Sequence, residues 1–116
     1  MILADSIYDQ QKHDEGIALI RAMNLDITQV IYQLRELYQR RYQVDPTQIN
    51  RGLCQDFAAD VASLVPGATY DWGDGFDDGN DRYAYHCVTY YEGLYYDSQY
   101  PEGVSDFRTM DAFGPN

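Results

Sequence analysis

Apolar residues follow a helical period in the N-terminal half of the chain and strand-like patterns in the C-terminal half. Residues 26–42 and 54–65 carry apolar side chains three or four positions apart, as in helices that bury one face. A weaker pattern predicts a helix from Asp14 to Met23. Beyond residue 67, β-branched and aromatic residues predict strands at 68–72 and in the segment 82–100. This order predicts an α+β fold in which helices pack on a small antiparallel sheet.

Polar residues mark the expected ends of these helices. Asp26 is followed three residues later by Gln29, which predicts an N-cap and a capping box for the helix over 26–42. Asp45-Pro46 should end that helix region. Asn50 is the expected N-cap of the next helix, so that Cys54 falls in its first turn, on the stripe that faces the interior.

Residues 82–91 and 94–100 are predicted to form a β-hairpin around the turn Glu92-Gly93. A two-residue turn places Tyr91 opposite Leu94. This register makes His86 and Asp97 diagonal neighbours on one face of the hairpin. Cys87 should then leave the strand on the other face, among apolar groups.

The rest of the C-terminal half is expected to form a loop, a turn and a short helix. Residues 73–81 are dense in glycine and aspartate, but Phe76 occupies an alternate position where a calcium loop needs an oxygen ligand, and no glutamate closes the loop. We therefore interpret the segment as a solvated connection or an active-site lid rather than a metal site. Pro101-Glu102-Gly103 should turn the chain, and Ser105-Asp106 should cap a short helix that runs to Phe113.

Length and charge narrow the functional classes. The 116 residues indicate one domain, with a helical part (1–44), a core (45–104) and a C-terminal tail (105–116). The formal net charge of −11 argues against nucleic acid as a ligand, because it repels phosphates. No apolar run is long enough to span a membrane, and two cysteines without an export signal predict a reducing cytoplasm. His13 lies among polar residues and is expected on the surface.

Three residues combine into a candidate catalytic group. Cys54 sits at a helix start, where backbone N–H groups favour a thiolate. A nucleophilic cysteine needs a base and a group that orients the base, and His86 with Asp97 meets both needs. Each residue also has a structural interpretation: Cys54 as a small core residue, His86 as a satisfied core histidine, and Asp97 as a surface residue of a strand.

Two segments carry a family resemblance. Arg51-Gly52-Leu53-Cys54-Gln55-Asp56-Phe57-Ala58 resembles the cysteine motif of bacterial transglutaminase-like domains, and the run from His86 to Asp97 resembles their histidine strand, hairpin and aspartate. The resemblance implies a papain-like fold, a triad of Cys54, His86 and Asp97, and no cofactor. By analogy with papain-like enzymes, Gln48 is a candidate oxyanion donor, although an ordinary loop glutamine is the alternative.

Taken with the resemblance, the triad predicts a cysteine-dependent hydrolase or acyl transferase that acts on amide bonds as a protease, deamidase or transglutaminase-type enzyme. Its substrate would be a peptide, a protein or another amide, and neither a metal, a nucleic acid nor a membrane is expected. The alternative is a non-catalytic acidic protein on the same fold, which binds a basic partner or mimics nucleic acid.

Overall fold

Helices precede a four-stranded antiparallel sheet in the computed structural model, which describes residues 2–77 and 79–114 and the side chains from residue 10 onward. The helices are α1 (Ile2–Met23), α2 (Ile27–Tyr42), α3 (Pro46–Gly52) and α4 (Cys54–Leu64). The strands are β1 (Thr69–Trp72), β2 (Cys87–Tyr91), β3 (Leu94–Asp97) and β4 (Tyr100–Val104), and they lie side by side in that order. Short helical turns at Gly73–Phe76, Asp81–Tyr83, Phe107–Thr109 and Asp111–Phe113 complete the α+β architecture.

Helix α2 provides the centre of the larger hydrophobic cluster. The Asp26 side chain accepts the N–H of Gln29 at 2.9 Å, which confirms the predicted N-cap. The predicted apolar stripe is buried: Val30, Ile31, Leu34, Leu37 and Tyr38. Each large aliphatic side chain buried in this way stabilises the fold by about 1.5–3 kcal/mol.

Helix α1 is longer than predicted, and His13 lies on its buried side. His13 Nε2 is 2.8 Å from Asp60 Oδ2, and the Tyr38 hydroxyl donates to the same oxygen at 2.6 Å. The expectation of a solvated surface histidine was therefore wrong. A polar neighbourhood in sequence did not reveal that Asp60, 47 positions away, would pair with this ring.

Helix α3 is a further element that the sequence pattern did not predict. Its N-cap is Asp45, Pro46 opens its first turn, and Asp45 and Gln48 form a reciprocal capping box. Asn50 lies inside this helix and is buried, so its assignment as the N-cap of α4 was wrong. Only Leu53 separates α3 from α4, and it gives α4 no side-chain cap.

The hairpin has the predicted register. Tyr91 pairs with Leu94, Tyr90 with Tyr95, and Thr89 with Tyr96. Glu92 and Gly93 both have positive φ, 48° and 86°, as a tight hairpin turn of two residues requires. The strands are shorter than predicted, since His86 immediately precedes β2 and Asp97 is the last residue of β3.

The segment after the hairpin differs from the prediction. Pro101-Glu102-Gly103 is part of β4, where the expected turn was wrong, and proline is tolerated because β4 lies at the sheet edge. Asp106 caps a 3₁₀ turn rather than one helix to Phe113, and residues 115–116 of the predicted tail lie outside the described residues. Phe107, Met110 and Phe113 are buried together with Val88 in a second cluster.

These two clusters cover opposite faces of the sheet. The helices pack on the face that carries Tyr96, while Val88 points to the C-terminal turns. Thr89, one residue along from Val88, contacts the backbone of α4 at Ala58. Because α4 crosses this face with Cys54 at its first position, the fold brings the thiol close to the start of β2.

Candidate active site

Cys54 opens α4 on the side that faces the sheet. It is 9% exposed and shares the buried stripe with Phe57, Ala58 and Val61, as the sequence predicted. The first-turn N–H groups of α4 have no side-chain cap, so they remain oriented toward groups at the helix start. One of them, the N–H of Gln55, interacts with the thiol and lowers its pKa. The Cys54 side chain is thus largely shielded from water but keeps a small accessible surface.

His86 and Asp97 are brought together below this thiol. His86 Nε2 and Asp97 Oδ2 are 2.9 Å apart, and both side chains are buried. The other carboxylate oxygen, Oδ1, accepts the backbone N–H groups of Gln99 and Tyr100 at 2.9 and 3.0 Å. The imidazole also packs edge-on against Phe113, with 5.1 Å between the ring centroids. The two backbone N–H groups therefore orient the Asp97 carboxylate, and the carboxylate orients the imidazole of His86.

The second ring nitrogen of His86 is left for the thiol. Since Nε2–H donates its hydrogen bond to Asp97, the neutral ring has its lone pair at Nδ1. Nδ1 is buried and makes no hydrogen bond of ordinary geometry, but the imidazole and the Cys54 thiol are close enough to shift each other's pKa. A nitrogen in this state is able to take a proton from the sulfur.

The electrostatics favour a charged Cys54–His86 pair. Burial acts to raise the pKa of Cys54, but His86 and the backbone N–H groups of Cys87 and Gln55 outweigh it and hold that pKa below its usual range. Burial acts to lower the pKa of His86, but Asp97 and Cys54 outweigh it and raise the value to about 9. A lowered thiol pKa beside a raised imidazole pKa describes a thiolate next to an imidazolium.

Asn50 also belongs to this site, in a role that the sequence did not predict. Its Nδ2 donates to Asp97 Oδ2 at 3.2 Å and to Gln99 Oε1 at 2.9 Å, while its Oδ1 accepts the Ser98 hydroxyl at 2.8 Å. It shares Oδ2 with His86 and so fixes the orientation of the carboxylate. No local signal identifies it, because its partners lie 47 to 49 residues further along the chain.

Gln48 has a different role from the one that the analogy suggested. Its Oε1 accepts the N–H of Asp45 at 2.8 Å, its own N–H bonds the Asp45 carboxylate at 2.9 Å, and its side chain is exposed. We assign Gln48 to the cap of α3 instead of an oxyanion site. The donors that the structure does place at the Cys54 sulfur are backbone N–H groups.

Cys87 lies closer to Cys54 than predicted. It was expected on the face of the hairpin away from the site, but it packs with Cys54, Ala58 and Trp72 in one small cluster. The alternation itself holds, since Cys87 lies on the face that α4 covers while His86 packs with Phe113 on the other face. The prediction lacked the fact that the start of α4 lies against the face that carries Cys87. Burial, followed by the charges of Cys54 and Asp71, raises the pKa of the Cys87 thiol to about 12.

A cleft lies beside the residues that contact Asp97, although none of the three triad residues is among its walls. Its volume is about 490 Å³, and its walls include Asn50, Arg51, Tyr85, Gln99 and Asp111. Asn50 and Gln99 are the residues that bond each other behind Asp97, and Tyr85 precedes His86. The cleft therefore shares two walls, Asn50 and Gln99, with the groups that surround the Asp97 carboxylate.

Neither a metal centre nor a membrane span is evident in the part of the chain that the structure describes. No group of three or more His, Cys, Asp or Glu side chains is arranged there to hold an ion, although Asp78 of the acidic segment is outside that part. No described helix combines the length and apolarity needed to cross a membrane.

Comparison with known proteins finds no matching family model, no matching curated protein and no matching solved structure. The resemblance to transglutaminase-like domains thus stays a prediction that is based on the two motifs.

Proposed function

We propose that the protein is a cysteine-dependent hydrolase or acyl transferase that acts on amide bonds, built on a papain-like arrangement. The observation that carries this proposal is the single imidazole, His86, which bonds Asp97 through Nε2 and interacts with Cys54 through its remaining nitrogen. Such an order of nucleophile, base and orienting carboxylate is what acyl transfer by a thiol requires.

The first half of the reaction forms an acyl-enzyme. The Cys54 thiolate attacks the amide carbonyl carbon, and the carbonyl electron pair moves to oxygen. Backbone N–H groups at the start of α4 are available to stabilise this developing charge. The His86 imidazolium then gives its proton to the leaving nitrogen, the C–N bond breaks, and a thioester to Cys54 remains.

The second half releases the acyl group. His86 is now neutral, and it takes a proton from water or from an acceptor amine as that group attacks the thioester. Breaking the C–S bond returns the electron pair to Cys54 and regenerates the thiolate–imidazolium pair. Asp97 holds the ring throughout and stabilises its charged form.

The cleft beside Asp97 is where we place the substrate. A peptide or protein amide fits a site of this size, with the exposed ring of Tyr85 and the guanidinium of Arg51 available to contact it. Because the chain carries 19 acidic and 8 basic residues, a basic or neutral protein approaches it more readily than an acidic one. The reactive thiol suits the reducing cytoplasm that the two free cysteines predict.

Iodoacetamide labelling followed by intact-mass measurement tests the proposal. At about pH 6 only a thiolate-rich cysteine reacts, so Cys54 should be labelled while Cys87 stays free. His86→Ala should abolish this selectivity, since it removes the partner charge and lets the Cys54 pKa return toward its usual range. The variant's circular dichroism and melting temperature provide the folding control.

The same labelling decides against the proposal if Cys54 stays unreactive at this pH yet reacts once the protein is unfolded. Cys54 is then a core cysteine, and the acidic interaction protein becomes the better interpretation. In that case, binding to basic partners should weaken steeply with added salt.

A further inference from the structure

Cys87 carries a buried thiol near the site that the acyl-transfer mechanism leaves unused. Its sulfur belongs to the same small cluster as Cys54, formed by the first turns of α4 and the start of β2. Its backbone N–H also interacts with the Cys54 thiol. The chain has two cysteines, both free, and the fold brings these two together from positions 33 residues apart (87 − 54 = 33).

The two thiols differ in the way that a peroxide-reactive pair requires. Cys54 is partly accessible at 9% exposure, and its interactions favour the thiolate, which is the form that peroxides oxidise. Cys87 is 1% exposed and its thiol stays protonated, so a peroxide in solution neither reaches it nor reacts with it readily. Oxidation should therefore begin at Cys54 alone.

We propose that Cys54 and Cys87 form a reversible oxidative modification site, at which a hydroperoxide converts the nucleophile and its buried neighbour into an intramolecular disulfide. This proposal needs the activated Cys54–His86 pair, but it does not depend on which amide the protein acts on.

The reaction has two balanced steps. The Cys54 thiolate attacks the outer oxygen of the hydroperoxide, the O–O bond breaks, and the alkoxide takes the His86 proton, which leaves a sulfenic acid on Cys54 and an alcohol. The sulfur of Cys87 then attacks the sulfur of Cys54 and forms the S–S bond. The S–O electron pair leaves with the oxygen, which takes the Cys87 proton and departs as water.

The first step prepares the second. The negative charge of Cys54 is one of the causes that keep Cys87 protonated, together with burial and Asp71. A sulfenic acid is neutral, so oxidation of Cys54 removes this charge and makes Cys87 easier to ionise. A buried thiol in the same cluster as the sulfenic acid should react with it before a second peroxide molecule arrives, which protects Cys54 from irreversible oxidation.

The experiment treats the full chain with a small molar excess of hydrogen peroxide and measures intact mass after acid quenching. The wild-type protein should lose the mass of two hydrogen atoms, should not be labelled by iodoacetamide at about pH 6, and should recover both mass and labelling with dithiothreitol. Cys87→Ser should instead gain the mass of two oxygen atoms at Cys54 and should not recover. Cys54→Ser should change little, because Cys87 is not reactive alone.

Cys87→Ala is a second variant in case a buried hydroxyl impairs folding, and melting temperatures identify a variant that is not folded. The proposal is overturned if the wild-type protein gains oxygen without forming the disulfide, or if the bridge joins two chains on a non-reducing gel. It is also overturned if iodoacetamide labels Cys54 but peroxide does not change the mass of the same protein. That last result would leave the proposed acyl-transfer function intact.

Discussion

The carboxylate of Asp97 acts on the site through both of its oxygens. Oδ1 accepts two backbone N–H groups, while Oδ2 faces His86 Nε2 and the amide of Asn50. All four neighbours present hydrogen-bond donors, which suits a carboxylate because both of its oxygens accept hydrogen bonds. The raised pKa of His86 depends on this charge.

Asp97→Asn should slow alkylation of Cys54 between neutral pH and the wild-type His86 pKa of about 9. The amide removes the negative charge and turns one NH₂ group toward donors, so the His86 pKa falls from about 9 and the imidazolium persists over a narrower range. Below that pKa the charged partner is present, and above it the partner is lost. The pH range in which a charged His86 stands beside Cys54 should therefore end at a lower pH. At a fixed pH above this new limit, the alkylation rate of Cys54 should fall about tenfold for each unit by which the His86 pKa falls.

Labelling rates from about pH 5 to 10, measured by mass, check this prediction. Asp71→Asn is the matched control, since Asp71 is an exposed carboxylate on the same sheet and influences Cys87 rather than Cys54. Equal rates for the wild type and Asp97→Asn across the range would show that Asp97 does not support the charged pair.

Helix α3 contains one amide that belongs to the site and one that belongs to a cap. Asn50→Ala removes the donor to Asp97 and leaves the Ser98 hydroxyl without one of its two acceptors, so we expect a loss of about 1–3 kcal/mol in unfolding free energy. It should also slow Cys54 alkylation, because the carboxylate is no longer held in place. Chemical denaturation and labelling at one pH give the two readouts.

Gln48→Ala is the matched comparison, two residues earlier on the same helix. It removes the bond to Asp45 N–H at the exposed cap, which should cost about 0.5–1 kcal/mol, and it should leave the labelling rate unchanged. If Gln48→Ala slows the labelling as much as Asn50→Ala does, the roles assigned to the two amides are wrong.

Two glycines on different elements should respond oppositely to alanine. Gly93 has a φ of 86° in the hairpin turn, so Gly93→Ala should destabilise the protein by about 1–2 kcal/mol. Gly52 ends α3 at a negative φ, with no atom within 4 Å of an added Cβ, so Gly52→Ala should be neutral or stabilising by up to about 1 kcal/mol. Thermal unfolding of both variants checks this, and a large loss at Gly52 would contradict it.

The hairpin, α3 and β4 show which parts of the fold could be predicted from the sequence. The hairpin register was predictable because a two-residue turn at Glu92-Gly93 fixes every later pair, and that register brought His86 to Asp97. Helix α3 was missed because it has only seven residues and buries little apolar surface. Strand β4 was missed because Pro101 and Gly103 resemble turn residues, and only pairing with β3 makes them a strand.

Long-range contacts explain the remaining errors. His13 is buried because Asp60 and Tyr38 on two other helices meet it, and no local pattern contains that information. Asn50 and Cys87 likewise obtain their surroundings from distant segments. The chemistry-bearing residues could be named from the sequence, whereas the groups that position them required the packing.

At the level of the whole molecule, charge separates the proposed enzyme from a nucleic-acid-binding protein. The chain has 8 basic residues against 19 acidic ones, and Arg35, Arg40 and Arg41 lie together on α2. Among the basic residues, Arg108 forms an ion pair with Asp106. The guanidinium groups of Arg35 and Arg41 lie over the rings of neighbouring tyrosines. The excess of acidic over basic residues leaves the chain strongly negative, so release of counterions from a phosphate backbone gains little.

The protein should therefore fail to bind duplex DNA even where electrostatic attraction is strongest. Binding of proteins to DNA gains free energy when cationic side chains release condensed counterions, and this gain is largest at low salt. A surface with a net charge of −11 instead repels the duplex, and low salt strengthens that repulsion. A gel-shift titration in low salt up to roughly 10 μM protein, beyond the tighter end of typical non-specific affinities, should show no retarded band. A basic DNA-binding protein in the same gel is the positive control. Retardation that disappears with added salt would mean that the α2 arginines form a functional cationic patch despite the overall charge, and nucleic acid would have to be reconsidered as a ligand.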